Sequence, residues 1–465
     1  MILLRKMRTS PQYGLWACAA ICLISFLYLG WVTYTKWMAG YFYLADVGNL
    51  HYAMWNTLQG RFMFSPMTES NHFAYHFTPW LVLISPITLL SQYPLPLVLS
   101  YTAALCLTPL PMYLMARQAG CQVGVALALG VWFVCNEFVG SVLLSWHFES
   151  FYILFAMLAI SDFKAGPPWR LALWTACALS VKEDAGLWLT GFAVWAAWAY
   201  GAQTRRRAWI MAAACAAYTV LAGGMVYLAG KDLPAGEGLG HFVDRINGFG
   251  FTAAIPLALA AIILSGAGLS LLAGASLLLL LLPTAILLPD FEFTRGLRYY
   301  YSYPFLPFLA LTVADGAGRI SRKFPKNSDW VLVFALLPLL LFQLLRETRT
   351  DGYRRIPEEI TPRMTHRLRI MAETIPTDAP LAIQFGMWGL VSTRWPAYRI
   401  DDKSVVPEDA WVVWDETRPW GMSSQGLRSL NNALEADIKA QRRIIVYQAN
   451  GMVIAKPALR KQTVN

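Results

Sequence analysis

Apolar residues along this chain gather into long blocks instead of alternating with polar ones. Near-continuous apolar runs occupy residues 14–35, 95–116, 122–143, 185–203, 208–228, 269–289 and 330–345, each close to the ~20 residues that cross a hydrocarbon core as a helix. Shorter or interrupted runs at 150–163, 171–181, 251–266 and 300–314 bring the expected number of spans to eleven. Basic residues punctuate the blocks on every second turn: Arg5, Lys6 and Arg8, then Arg117, then Lys164 with Arg170, then Arg205 to Arg207, then Arg319, Arg322, Lys323 and Lys326. With the amino terminus inside, a count of eleven puts all of these in cytoplasmic loops, as the positive-inside bias requires. That count needs the apolar stretch 79–91, between Pro79 and the Pro94/Pro96 pair, to be a re-entrant or juxtamembrane helix.

The pattern changes near residue 347. Over 347–465 charges and prolines rise, long apolar runs stop, and a soluble extracytoplasmic α/β domain is expected. A helix is expected after Pro357 and another over 425–441, with strands in LAIQFG, AWVVWDE and RRIIVYQANGMVIAKP. The last holds Asn450-Gly451 between two alternating runs, a hairpin signal. The expected fold is thus an α-helical polytopic membrane domain over 1–346 followed by this module.

Composition agrees: 57% hydrophobic and 14% charged residues lie far from a soluble globular average. The net charge of +10 sits mostly in the cytoplasmic loops, so it reads as topology and lipid head-group contact, not nucleic-acid binding. The first apolar run is long and lacks a small-residue cleavage site, so it is expected to remain as a span. The seven cysteines fall in or beside the spans with no metal-binding spacing, and they read as packing residues.

Unusual residues collect in the loops assigned to the outer side. The first (36–78) holds Asp46, Asn49, His51, Arg61, Glu69, His72 and His76; the second holds His147 and Glu149; the third holds Lys182, Glu183 and Asp184. The fourth is KDLPAGEGLGHFVDR, and the fifth holds Asp290, Glu292, Arg295 and Arg298 before Tyr299 to Tyr301. Ionisable groups at membrane depth are costly and tend to mark function or pairing, so one shared polar chamber is expected. Each group also has a plain structural role open to it. Asp46 suits the N-cap of a helix over 47–59. His72 and His76 suit interfacial packing, Glu149 a helix N-terminus, Lys182 to Asp184 a self-neutralising cluster, and the arginine–tyrosine run an interface anchor.

The ordered series DVGNLHYAMWNTLQGR, NHFAYHFTPWLVLISPI, SWHFES, VKEDAGL, RYYYSYPFLP and IPTDAPLAIQFGMWGLVSTR resembles the bacterial polytopic membrane family DUF2079. That family in turn is similar to the GT-C superfamily of membrane glycosyltransferases. The resemblance implies a transferase in the bacterial cytoplasmic membrane that takes a sugar from a polyprenyl-phosphate-linked donor to an acceptor at the outer face. It implies catalytic roles for Asp46, Glu149 and His147, with Asp46 as the base on the acceptor hydroxyl. His76, Lys182, Glu183, Arg295, Arg298, Tyr299 and Asn49 become substrate contacts, the cations facing the leaving phosphate. Trp55, Trp80 and Trp146 suit stacking on sugar faces. A divalent ion bridging Asp46, His147 or Glu149 to phosphate is compatible with this chemistry, although no diagnostic metal spacing is present. A transporter and a non-catalytic scaffold are the competing classes; internal repeats would mark the first and dispersed polar groups the second.

Overall fold

The computed structural model describes residues 11–40, 45–65, 70–233, 254–288, 297, 299–324, 337, 363–390, 393–402, 405–418 and 422–458. The chain forms two compact units. One comprises Met1–Thr33, Phe73–Trp80 and Leu99–Ile356, and the other Tyr34–His72, Leu81–Val98 and Pro357–Asn465. The sequence places a single boundary near 347; the structure also draws most of the first loop and the segment around 81–98 into the unit that holds the carboxy-terminal module.

The first unit is helical. By length and composition three helices can cross a membrane: Gln12–Met38, Leu95–Gln118 and Thr204–Gly230, matching the apolar runs expected at 14–35, 95–116 and 208–228. Val123–Val134 and Glu137–Ser145, bent by 43° at their junction, make a fourth if they are one span. Ala185–Ala199, Ile255–Ser265 and Gly274–Leu287 are apolar but shorter. Among the described residues, then, fewer helices have spanning length than the eleven runs expected. The run 330–345 lies outside the described residues except at 337. The outward face of Gln12–Met38 shows Trp16, Leu23, Ile24 and Leu27, which suits lipid and not water. The stretch 79–91 forms a five-residue helix, Pro79–Leu83, and a 3-10 turn, Ser85–Leu89, neither long enough to cross.

Backbone proximity sets the bundle near the site. The helices Ala185–Ala199 and Ala202–Gly230 are joined through Gly201 at φ +81°, a conformation glycine adopts freely. They press together at Gly186, where an added Cβ would lie 2.4 Å from the Cys215 carbonyl oxygen. All seven cysteines are free, and five of them are buried.

The second unit carries a five-stranded sheet. β1 (Phe64–Ser65) and β2 (Ser70–Asn71) form a small antiparallel pair. The sheet comprises β3 (Leu381–Gln384), β4 (Ala397–Ile400), β5 (Trp411–Asp415), β6 (Arg443–Ala449) and β7 (Met452–Pro457), in the order β4-β3-β5-β7-β6. β3 runs parallel to β4 and β5; β7 is antiparallel to β5 and β6. The expected hairpin is present, with Asn450 and Gly451 both at positive φ, as a two-residue primed turn needs. The helix Ser424–Lys439, capped by Ser423 on the Gly426 N–H, covers the sheet with Leu430 and Leu434 against Val412, Trp414 and Val453. The helix expected after Pro357 is seen from Arg363 to Thr374.

The same unit holds the helix Ala45–Leu58. Gly48 sits against the backbone of Gly389, where a Cβ would fall 2.5 Å from the amide nitrogen and 2.6 Å from the α-carbon. One turn on, the buried ring of Tyr52 meets that of Trp388 at 5.7 Å between centroids.

Candidate functional site

The first unit gathers five of the expected site residues into two linked sets. The helix Glu137–Ser145 starts at Asn136, whose side chain accepts from the Phe138 N–H, and ends at Trp146 in a left-handed conformation. That reversal puts His147 just ahead of the helix Glu149–Ala165, so that a side chain two residues before can turn back on Glu149. His147 Nδ1 pairs with Glu149 Oε2. Lys182 follows the last residue of Pro168–Val181 in extended conformation, and its Nζ donates to Glu149 Oε1 at 2.8 Å. Both oxygens of Glu149 are therefore engaged, and the residue is 0% exposed.

Aromatic rings wall this triad. His147 stacks on Tyr300 with centroids 4.1 Å apart and planes 11° from parallel. Lys182 Nζ lies 5.2 Å from the Tyr303 ring centre and 5.5 Å from that of Tyr300. The neighbouring residues point elsewhere. Glu183 Oε1 pairs with His76 Nδ1 at 2.9 Å, and its Oε2 accepts the Phe77 N–H at 3.1 Å. Asp184 Oδ2 accepts from Tyr303 Oη, while its buried Oδ1 has no hydrogen-bond partner among the described residues. Lys182 to Asp184 thus do not neutralise one another: three consecutive side chains tie three different segments together.

Their electrostatics follow from burial and these pairings. Burial alone would raise Glu149, but the pull of His147 and Lys182 outweighs it and holds the carboxyl at about 2. Burial would lower Lys182, yet the surrounding carboxylates, Glu149 foremost, drive it well above the ordinary lysine value. Glu183 also resists burial and is lowered, chiefly by His76. Asp184 is raised, because burial and the neighbouring Glu183 charge prevail over Lys182 and the Tyr303 hydroxyl. Burial and pairing thus push the two neighbouring carboxyls in opposite directions, Glu183 down and Asp184 up.

Asp46 and Asn49 belong to the second unit. The helix begins at Ala45, which places Asp46 in the first turn and not at the N-cap expected from sequence. Its side chain is exposed, and among the described residues no hydrogen bond or ion pair engages it. Asn49 is buried and accepts from the Ser65 hydroxyl. His72 and His76 do not share a helix: His72 lies in the 3-10 turn His72–Ala74, and His76 follows it outside any helix or strand. Tyr299 is half exposed and its carbonyl accepts from Ser141 Oγ at 2.9 Å. Arg295 and Arg298 lie outside the described residues. Among the described residues no group of three His, Cys, Asp or Glu side chains can hold a metal ion, and His147 and Glu149 are committed to each other and to Lys182. Of the three residues considered for a divalent ion, Asp46 is the one left unengaged among the described residues, and a single carboxylate is not by itself a metal-binding set.

Sequence reasoning named Lys182, Glu149 and His147 separately but not as a triad, since nothing in their spacing links position 149 to 182. It read Tyr300 only as part of an interface anchor and passed over Tyr303, whose place in a tyrosine-rich run was the available signal. No curated protein matches the chain, whereas residues 46–234, which open at Asp46 and take in His76, His147, Glu149, Lys182 and Glu183, match the family model DUF2079, described as a predicted membrane protein and the family that the ordered sequence motifs resemble.

Proposed function

We propose that the protein is a GT-C-like membrane transferase of the bacterial cytoplasmic membrane, with its amino terminus inside and its carboxy-terminal module outside, that moves a sugar from a polyprenyl-phosphate donor to an acceptor hydroxyl. The observation that carries this reading is the contrast between two carboxylates. Asp46 is exposed and unengaged among the described residues, as a base that must reach an acceptor has to be. Glu149 is buried and each of its oxygens already has a partner.

In this reaction the acceptor oxygen attacks the anomeric carbon and its proton passes to the Asp46 carboxylate. The bond from that carbon to the phosphate oxygen breaks, and the polyprenyl phosphate leaves with the electron pair. Lys182 is engaged by Glu149 and is not assigned to the leaving phosphate. His147, Glu149 and Lys182 serve as positioning residues that lock the helix junctions beside Tyr300 and Tyr303. The test is turnover of radiolabelled polyprenyl-phosphate sugars by purified wild-type protein and Asp46→Asn. Loss on removing a positioned base is of the order of 10²–10⁴-fold.

A proton-coupled carrier is the second reading. It is favoured by the run of buried and partly buried groups Glu149, Lys182, Glu183 and Asp184 with His76 and His147, since chains of such groups in a bundle carry protons in pumps and transporters. Proton-driven uptake into proteoliposomes without any change in the labelled sugar would select it.

A further inference from the structure

We propose that Arg61, held between Trp55 and Trp395, forms a binding site for a phosphate group on the second unit, separate from Asp46. This does not rest on the transferase reading. Arg61 follows the end of the helix Ala45–Leu58, and its guanidinium is fixed from three sides. Its carbon centre lies 4.4 Å from the Trp395 ring centre and 5.3 Å from that of Trp55. Its Nε donates to Asn56 Oδ1 at 2.8 Å. Asn56, 0% exposed, is itself held in place because its Nδ2 donates to the Phe64 carbonyl at 3.0 Å. The Arg61 N–H closes the loop onto the Asn56 carbonyl at 2.8 Å, and Phe64 supports Trp395 edge-on at 5.5 Å.

That arrangement immobilises the inner edge of the guanidinium and leaves the outer one open. Among the described residues neither terminal nitrogen of Arg61 has a hydrogen-bond or ion-pair partner, and no carboxylate neutralises the side chain. Two parallel N–H groups on a planar fork donate to two oxygens of one phosphate, and a fork held in advance loses less freedom on binding than a mobile lysine. Trp395, 41% exposed, adds an apolar wall beside the fork. The ligand class is therefore a phosphate ester whose adjoining group has an apolar or ring face. Asp46 stands at the other end of the same helix, roughly 20 Å away at 1.5 Å per residue, so one phosphate on Arg61 cannot also be the group leaving at Asp46.

A structural clamp alone would shift the melting temperature of an Arg61 variant, whereas a binding site shifts ligand affinity. Full-length protein in detergent is titrated with short-chain phosphatidylglycerol, inorganic phosphate and acetate, with wild type compared to Arg61→Gln and Arg61→Lys. The expected result is saturable binding of a phosphate probe, weakened at least tenfold in both variants; Arg61→Lys keeps the charge and loses the fork, and it carries the test if Arg61→Gln does not fold. Binding of the lipid alone identifies a head group as the source, and binding of both probes shows that the phosphate suffices. No saturable binding of either, equal affinity in Arg61→Lys and wild type, or acetate binding as tightly as phosphate would each overturn the proposal.

Discussion

Replacing Lys182 by Met removes one cation from a fully buried carboxylate, and its consequence can be worked from the geometry. Glu149 keeps its charge with Lys182 Nζ 2.8 Å from one oxygen and His147 on the other. Its carboxyl is displaced from an ordinary 4.5 to about 2, which at 1.36 kcal/mol per unit is about 3 kcal/mol of preference for the anion. The sign follows: a depressed carboxyl contributes stability that is present above pH 4.5 and is lost as the pH falls toward 2. Lys182→Met leaves the anion buried beside a single imidazole, and breaking a buried pair from one side costs about 3–5 kcal/mol. Replacing both partners by apolar groups, Lys182→Met with Glu149→Leu, removes the stranded charge and recovers most of that loss. Unfolding of the purified protein by SDS titration at neutral pH measures Lys182→Met, Glu149→Leu and the double variant against wild type. A single variant within about 1 kcal/mol of wild type, or a double variant as damaged as the sum of its parts, refutes the triad as described.

Gly48→Ala should destabilise the second unit by about 1–3 kcal/mol, because the obstacle is the backbone of Gly389 and not a side chain that can rotate away. Limited proteolysis should then cut the region after residue 357 faster than in wild type, and unchanged protection would contradict the packing. Asp184→Asn tests the raised carboxyl. Its folded value lies above the ordinary 3.8, so wild type loses stability as pH rises from 3.8 through that value, and the amide does not. The variant should gain on wild type with rising pH, with the gap closing toward pH 4 in melting curves; a gap independent of pH would contradict the assignment.

How much of this was legible in the sequence depended on whether the signal was local. The hairpin at Asn450-Gly451 and strands β3 and β5 were readable because turn chemistry and short apolar runs are properties of adjacent residues. β4 was missed: Ala-Tyr-Arg-Ile places an arginine among too few apolar positions to stand out, and it becomes a strand through its parallel register with β3. Spanning helices over 14–35 and 208–228 were equally plain, but Ala185–Ala199 is only a 15-residue helix, and residues 269–287 hold two 3-10 segments, the longer containing Pro283, since apolarity does not fix helix length. At the site the residue types were readable and their partners were not. Lys182, Glu183 and Asp184 looked like neighbours that satisfy one another, yet extended backbone at Lys182 sends them to Glu149, His76 and Tyr303. The association of the helix Ala45–Leu58 with the module more than 300 residues later rests on Gly48 meeting Gly389, a complementarity no single-sequence pattern encodes.

The central claim, that Asp46 is the base of a sugar transfer and Glu149 part of its scaffold, is tested most directly by measuring turnover of polyprenyl-phosphate sugars and SDS unfolding together for Asp46→Asn and Glu149→Gln. The account predicts that Asp46→Asn unfolds like wild type and loses at least about 10²-fold in turnover, while Glu149→Gln is destabilised in proportion to its lost turnover. Wild-type turnover in Asp46→Asn would contradict it.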